Sequence, residues 1–179
     1  MGEPKIDARN WRIEILYHAE KLCGYSLDEL KRRPQSSVEA CLVRHDNTGV
    51  CGKFEGISLK ELVSSCIDDK NLSIDRIVFI GADGYESSMD FSELADDWII
   101  AFKVDGRPLT KDEGAPARII IPGRYGYKWV RWLSKIVLIR GEHYGLWEFI
   151  GRDNSGKVPR HIYKRIERSS KGSGPHSNP

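Results

Sequence analysis

The positions of apolar residues along the chain predict several short strands and two short helices. Trp11 to Leu16 alternates apolar and polar residues, which is typical of a half-buried strand. Ser26 and Ser58 each precede a Glu by three residues, a capping box that starts a helix. Mostly apolar runs of strand length follow at 38–43, 76–82, 98–104, 119–121 and 133–139. Many short strands with few short helices predict an α+β domain dominated by sheet.

Length and composition set the size and class of the protein. The chain has 179 residues, of which 40% are hydrophobic and 30% charged, as in a soluble domain with a substantial core. We expect one domain over residues 1–163. After Lys164 the apolar periodicity is lost, so residues 164–179 are expected to form a basic tail with a disordered end.

The sequence shows no feature that would bring the protein to a membrane. It has no apolar run of the length that a membrane span requires. The N-terminal residues lack the basic and apolar regions of a signal peptide, so we expect a cytoplasmic protein with no membrane partner.

The small net charge of +2 hides an asymmetry between the two parts of the chain. Residues 1–110 carry 14 Lys/Arg and 20 Asp/Glu, a balance of −6, whereas residues 111–179 carry 14 Lys/Arg and 6 Asp/Glu, a balance of +8. A positive second part favours an anionic ligand or an acidic partner. The alternative is that the C-terminal tail supplies much of the excess and the asymmetry has no function.

The stretch from Gly114 to Leu138 holds the densest candidate chemistry. Its apolar run ends at Pro122-Gly123, as a buried strand ending in a turn would. A cationic and aromatic segment, RYGYKWVRW, follows at 124–132, and a second apolar, β-branched run follows that. Two strands that bracket such a segment predict an anion pocket.

The four cysteines, at positions 23, 41, 51 and 66, include no Cys-x-x-Cys pair, which argues against structural zinc. An even count permits disulfides, but no other feature indicates secretion. Cys41 and His45 are four residues apart, a weak metal signal. Most of these thiols are expected to be small buried apolar groups.

Several short motifs, taken in chain order, resemble one known family. They are WRIEIL, YSLDELKRRP, VEACLV, FEGISLKELV, DGYESSM, VDGRPL, GAPARIIIPGRYGYKWVRWLSKI and GLWEFIG. Together they resemble the molybdopterin-binding domain of sulfite oxidase-type enzymes over residues 11–151, with G-x-P-x-R…P-x-x-x-G-x-[KR]-x-V-[KR]-W as the most specific block. The resemblance implies an α+β, β-rich fold of mixed sheets with short peripheral helices.

By this resemblance Cys41 is the catalytic thiolate, ligating a molybdenum centre that a pyranopterin also chelates through its dithiolene. A soft thiolate suits such a metal. Cys51 ranks second because it lies only three residues before Phe54. Two departures from the family pattern are that Phe54 stands where Trp is common, and that residues 42–45 match the family's pocket residues poorly. The alternative for Cys41 is an inert, buried strand thiol.

Tyr85 and Ser88 are the next candidates. In YESSM, Tyr85 matches the family's tyrosine beside the metal's oxo ligand, where a phenol could donate a hydrogen bond and gate a proton. Ser88 matches a position near the pterin. The alternatives are a turn tyrosine with its ring on the core and a plain strand hydroxyl.

The resemblance implies that basic residues between Gly114 and Leu138 bind anions. Arg118, Lys128 and Arg131 would approach the cofactor phosphate or an oxyanion substrate, since Arg pairs bidentately with oxyanions. Gly123 and Gly126 would let backbone N–H groups come close to a phosphate. The alternative is that Arg118 points outward from a strand and the other two cations are solvated.

Three functions remain open at this point. The first is a molybdopterin-dependent oxidoreductase that transfers oxo groups or electrons on a small anionic substrate and needs a separate electron-transfer partner. The second is a cofactor-free relative of the same fold that serves as a binding or scaffold module. The third and weakest is nucleic-acid binding through the basic aromatic segment, since the net charge is small and no nucleic-acid motif is present.

Overall fold

The structure is a computed structural model that describes residues 4–145, 149, 151 and 153–172. The strands within these residues are β1 Arg12–Tyr17, β2 Glu20–Ser26, β3 Ser36–Val43, β4 Gly49–Ser58, β5 Arg76–Gly81, β6 Glu86–Asp90, β7 Ile99–Val104, β8 Arg107–Pro108, β9 Arg118–Ile120 and β10 Leu133–Ile139. The α-helices are α1 Leu27–Lys31, α2 Leu59–Ile67 and α3 Arg160–Gly172. Single 3-10 turns cover Phe91–Glu93 and Gly126–Lys128.

The strands form two sheets. The first has the order β2-β1-β10-β5-β6, in which β1 lies parallel to β10 and the other neighbours are antiparallel. The second has the order β3-β4-β7-β8, and β9 also pairs with β7, all antiparallel. This sheet-rich arrangement with short helices confirms the predicted α+β fold.

Both sheets contribute side chains to one apolar core. Ile13, Phe79 and Ile136 come from the first sheet, while Ile57 and Ile100 come from the second. Strand alternation turns every second residue to this core, which is why short apolar runs specify the strands. The helix predicted after Ser58 is α2, and it buries Leu59, Leu62, Val63 and Cys66 on one face. No helix among the described residues is long and apolar enough to cross a membrane.

The C-terminal region differs from the expected tail. Helix α3 spans Arg160–Gly172, and its Ile162 and Ile166 are buried against Cys41 and Val43 of β3. The two isoleucines are four residues apart and so share a helical face, a signal that the surrounding charged residues obscure. Residues 173–179 lie outside the described part of the chain, as do residues 146–148 and 150 of the GLWEFIG motif.

The loop between β8 and β9 is held by Glu113. Its carboxylate accepts two hydrogen bonds from the Arg107 guanidinium, at 2.8 and 2.7 Å, and a third from the Thr110 backbone N–H at 2.8 Å. These bonds, with Arg107 as the main cause, lower the pKa of Glu113 to about 2. Glu113 thereby fixes a loop that leads into β9.

We expect Ile166→Ala to lower the free energy of unfolding by about 2 kcal/mol, because it leaves a cavity between α3 and β3. Arg168→Ala, an exposed change on the same helix, should stay within about 0.5 kcal/mol of the wild type. Urea unfolding followed by circular dichroism measures both. Equal effects of the two variants would contradict the packing of α3 on β3.

Glu113→Gln should destabilise the protein by about 1 kcal/mol or less near pH 7, because the ion pair is partly exposed. The folded pKa of Glu113 is about 2 against a usual value of 4.5, so its stabilisation is present above 4.5. That stabilisation is lost as the pH falls from 4.5 towards about 2. Thermal unfolding across this range should show the stabilities of the variant and the wild type converging, and a difference that stays constant down to about pH 2 would contradict this role of Glu113.

Candidate functional site

The main cavity, of about 550 Å³, opens between the β3–β4 hairpin, the β7–β8 hairpin and the segment 124–131. Phe54 and Trp129 form part of its apolar wall. Its ionisable lining residues are Arg44, His45, Arg107, Arg118, Arg131, Asp105, Asp112 and Glu113. A cavity of this size, partly apolar and lined by several cations, fits a medium-sized anionic ligand.

A second cavity of about 300 Å³ adjoins the first. The two share Gly126, Tyr127, Trp129 and Arg131, and the second is also lined by Asp83, Tyr85 and Trp132. The segment 126–131 is therefore a common wall, and one ligand could contact both sides of it.

Trp129 fixes the position of this common wall. Its side chain is 1% exposed, its indole N–H donates to the Ile121 carbonyl at 2.7 Å, and its ring meets Phe54 edge-on at 5.6 Å. The chain reaches Trp129 through a turn at Gly123, whose φ of +74° favours glycine, and through one 3-10 turn. Trp132 is also buried, and its indole N–H donates to the Lys111 carbonyl at 2.9 Å.

Arg118 carries a buried positive charge on the wall of the main cavity. It is 7% exposed, and its guanidinium donates to the carbonyls of Glu113 at 2.9 Å and Trp129 at 3.2 Å. Its Nε has no hydrogen-bond partner among the described residues. Burial, helped by the nearby Arg131 charge, lowers the pKa of Arg118 to about 10. An anion at this wall would relieve the cost of burying the charge.

Arg131 and Gly126 line both cavities, as a ligand site at this segment requires. Arg131 is exposed, and its guanidinium donates to the Asp112 carbonyl at 2.9 Å. Its Cζ atom lies 4.2 Å from the centroid of the Trp132 ring. Arg44 and His45 line the main cavity but are not among the ligand-site residues predicted from the sequence. Their position directly after β3, opposite the basic segment, was a usable signal.

Lys128 and Ser88 lie behind the common wall rather than on the cavities. Lys128 is fully buried, and its ammonium donates to the Ser88 carbonyl at 2.8 Å. The Ser88 hydroxyl accepts from Arg76 at 3.0 Å and donates to the His143 carbonyl at 3.0 Å. Gly123 lies in the turn before the wall and lines neither cavity. The structure thus brings Lys128 and Ser88 together, but in a buried polar cluster.

Tyr85 lines the second cavity, beside the common wall. Its hydroxyl donates to the Tyr127 carbonyl at 2.5 Å, a bond that ties the turn after β5 to the wall. The hydroxyl already uses its proton in this bond, so any donation to a ligand requires that bond to open.

Cys41 and Cys51 form a disulfide across the paired strands β3 and β4. Cys41 is 2% exposed and packs with Val43, Ile162 and Ile166, so the disulfide lies on the α3 face of the hairpin. Leu42 and Arg44, at alternate positions, line the main cavity instead. Cys51 lines both that cavity and an adjoining cleft of about 250 Å³ under α3, whereas Cys41 lines only the cleft.

The other two cysteines are free thiols. Cys66 is buried in the core, and this burial, together with Cys23 nearby, raises the pKa of its thiol to about 11. No group of three or more His, Cys, Asp or Glu side chains among the described residues has the arrangement of a metal site.

Known proteins show which family has this fold and segment order. Residues 1–147 match the family described as oxidoreductase molybdopterin binding domain. An NADH nitrate reductase of Volvox carteri is 40% identical over 89% of this chain and 22% of its own length. A mitochondrial sulfite oxidase of Mus musculus is 34% identical over 87% of this chain and 34% of its own length. The chain thus spans about a third or less of these relatives.

The fold also matches a solved structure. The sulfane dehydrogenase SoxCD of Paracoccus pantotrophus has a TM-score of 0.70, with 20% identity over 82% of this chain and 41% of that chain. A likeness at this identity supports the fold alone, while the family match covers most of the sequence. The chain therefore belongs to the oxidoreductase molybdopterin-binding domain family, of the type found in sulfite oxidases and nitrate reductases.

Proposed function

We propose that this chain is a molybdopterin-dependent oxidoreductase domain that performs oxo or electron transfer on a small anionic substrate at a Cys-ligated molybdenum centre. The observation that carries the proposal is the buried Arg118 cation on the wall of a cavity of about 550 Å³. A buried guanidinium with an unpaired Nε is costly unless an anion completes it.

The anionic part of such a cofactor fits the residues present. Arg118 and Arg131 could hold a phosphate from one side, and Arg44 and His45 line the same cavity at the end of β3. Trp129 and Phe54 supply an apolar surface for a flat pterin ring system. Lys128 supports the wall from behind through Ser88 and is a weaker candidate for direct contact than the resemblance implied.

The thiolate ligand that molybdenum requires is not available while Cys41 and Cys51 form a disulfide. A thiolate is required to ligate molybdenum, and both Cys41 and Cys51 are oxidised in this structure. Cys41 stays our proposed ligand by resemblance, but it would need reduction and a turn of its side chain away from α3. Cys51 lines the main cavity and is the alternative after reduction.

The bound cofactor would supply the redox chemistry, and the protein would supply orientation and field. Arg118 and Arg131 would hold the anions and stabilise negative charge. Tyr85, beside the wall, would hold a proton at its hydroxyl and release it when its bond to the Tyr127 carbonyl opens. The electrons would pass to a separate partner protein, and we propose the cytoplasm as the location.

A cofactor-free relative that acts as a binding module is the second candidate. The observation that favours it is the Cys41–Cys51 disulfide, which removes both thiolates nearest the cavity. In that case the cavity would bind an anion without redox chemistry. Nucleic-acid stacking by the basic aromatic segment is disfavoured, because Trp129 and Trp132 are 1% and 4% exposed and cannot stack on bases.

Metal content decides between the first two candidates. We expect wild-type protein, purified under reducing conditions from a host that makes the pterin, to contain molybdenum by mass spectrometry and pterin by fluorescence. Cys41→Ser should lose most of the metal and keep much of the pterin, because the arginines still bind the anionic part. Cys51→Ser is the matched variant on the paired strand. Molybdenum that is absent from wild type, or untouched by both substitutions, contradicts the proposed centre.

Arg118→Met tests the anion wall, since Met keeps the length of the side chain and removes its charge. Pterin retention should weaken on the order of tenfold to a hundredfold, the range for losing a hydrogen bond to a charged group. Arg140→Met, at an exposed arginine outside both cavities, is the control and should retain wild-type pterin. Equal pterin retention in the two variants would contradict a role for Arg118 in binding.

A further inference from the structure

Helix α3 presents a basic face to solvent. Its buried side is formed by Ile162 and Ile166, which pack on β3. Over Arg160–Gly172 the helix carries five Lys or Arg and one Glu, a balance of +4, and that acid, Glu167, is paired with Lys171. Four exposed basic side chains recur at the spacing of one helical face and line a surface hollow of about 410 Å³: His161, Lys164, Arg165 and Arg168.

The basic face continues into the end of the β3–β4 hairpin. The Arg165 guanidinium donates to the Asn47 backbone carbonyl at 3.1 Å, and the side-chain oxygen of Asn47 accepts from the Tyr125 hydroxyl at 2.9 Å. Tyr125 immediately precedes the common wall of the two cavities. Asn47 therefore joins α3 to the hairpin and to the wall of the proposed cofactor site.

This surface reaches the mouth of the main cavity. Arg44 and His45, at the same end of the hairpin, are exposed and line that cavity. The one acid of this turn, Asp46, accepts hydrogen bonds from Thr48 and offsets part of the positive charge. Val50 also lines the cavity and is 60% exposed, so an apolar side chain lies beside these cations. Protein interfaces combine an apolar centre with a polar rim in this way.

The partner that fits this surface best is an acidic protein, because complementary charge steers and orients a docking partner. An anionic membrane fits less well, since the apolar side of α3 is buried and leaves nothing to insert. A nucleic acid also fits less well. Base stacking needs an exposed ring, whereas Tyr163, the only Tyr, Phe or Trp of α3, is partly buried with its hydroxyl on the Cys41 backbone N–H.

We propose that the exposed face of α3, together with residues 44–50 of the hairpin, docks an acidic one-electron carrier protein that takes electrons from the main cavity. The inference rests on the proposed function, whose electron-transfer partner it specifies. Weak electron-transfer complexes bury less surface than stable ones, so one helix face and one hairpin end suffice. Each docking passes one electron to the oxidised carrier, so two dockings remove the two electrons that oxo transfer to a substrate leaves behind.

Binding is measured on the full chain, with or without metal. Oxidised plastocyanin, an acidic blue-copper protein, is the probe, and cytochrome c, a basic carrier, is the probe of opposite charge. Calorimetric titration should show plastocyanin binding whose dissociation constant rises about tenfold between about 30 mM and about 300 mM salt, because salt screens exposed charges. Cytochrome c should not bind.

Charge reversal locates the surface. The double variant Lys164→Glu with Arg168→Glu should weaken plastocyanin binding about tenfold at low salt, because two attractions become repulsions. The matched control, Lys31→Glu with Lys70→Glu, reverses two exposed cations outside α3 and both cavities and should bind plastocyanin almost as the wild type does. Circular dichroism and molybdenum content should be unchanged in both double variants.

Reduction of plastocyanin gives a second readout. Molybdenum-loaded protein, reduced with dithionite and then desalted, should bleach the blue absorbance of plastocyanin. The second-order rate constant should be about tenfold lower in the α3 double variant and unchanged in the control. Plastocyanin binding that depends on α3 in a protein without molybdenum supports the docking surface and contradicts only the proposed function.

Four results would overturn the docking proposal. No plastocyanin binding at about 30 mM salt, where screening is weak, would contradict an electrostatic site. Equal plastocyanin binding in the two double variants would exclude α3. Tighter binding of cytochrome c than of plastocyanin would contradict an acidic partner. Tighter binding of duplex DNA than of plastocyanin, lost in the α3 double variant, would make this surface a nucleic-acid site.

Discussion

The burial of Trp129 is the constraint on which the rest of the site depends. A large indole that is 1% exposed, with its N–H held by the Ile121 carbonyl, gives the following and preceding backbone little freedom. The segment 126–131 is therefore held in place as the common wall of the two cavities. Its position in turn decides that Arg118 and Arg131 face a ligand space and that Lys128 faces the core.

Burying the Arg118 guanidinium costs free energy, and a bound anion would offset part of that cost. Taking the Arg118 guanidinium out of water lowers its pKa, and the carbonyls that it contacts only partly replace the lost hydration. Such preorganised charge is what a site needs if it is to stabilise an anion without rearranging. Glu113, which shapes the same loop, hydrogen-bonds to Arg107, and its charge offsets only part of the effect of burial on Arg118.

Strand alternation turns neighbouring residues of β3 to opposite faces of the β3–β4 hairpin. Leu42 and Arg44 face the main cavity, while Cys41 and Val43 face α3. The disulfide joins the two faces, because Cys51 lines the main cavity while Cys41 packs under α3, where the Tyr163 hydroxyl accepts a hydrogen bond from its backbone N–H.

Local patterns in the sequence determined most of the fold. The alternation at Trp11–Leu16 and the helix start at Ser58 depend on neighbouring residues, and both appear where they were predicted. The motif order also identified the family, because it reflects the chain as a whole.

Only the tertiary structure decided which side chains meet. The sequence could not pair Cys41 with Cys51, bury Lys128 behind the wall or place Arg44 on the cavity, since each depends on strand register and on elements far apart in the chain. It also missed α3, whose two isoleucines matter only because β3 offers a surface for them. Strands and helices could be predicted because their periodicity depends on neighbouring residues. The site could not, because it is made by contacts between segments that are distant in the chain.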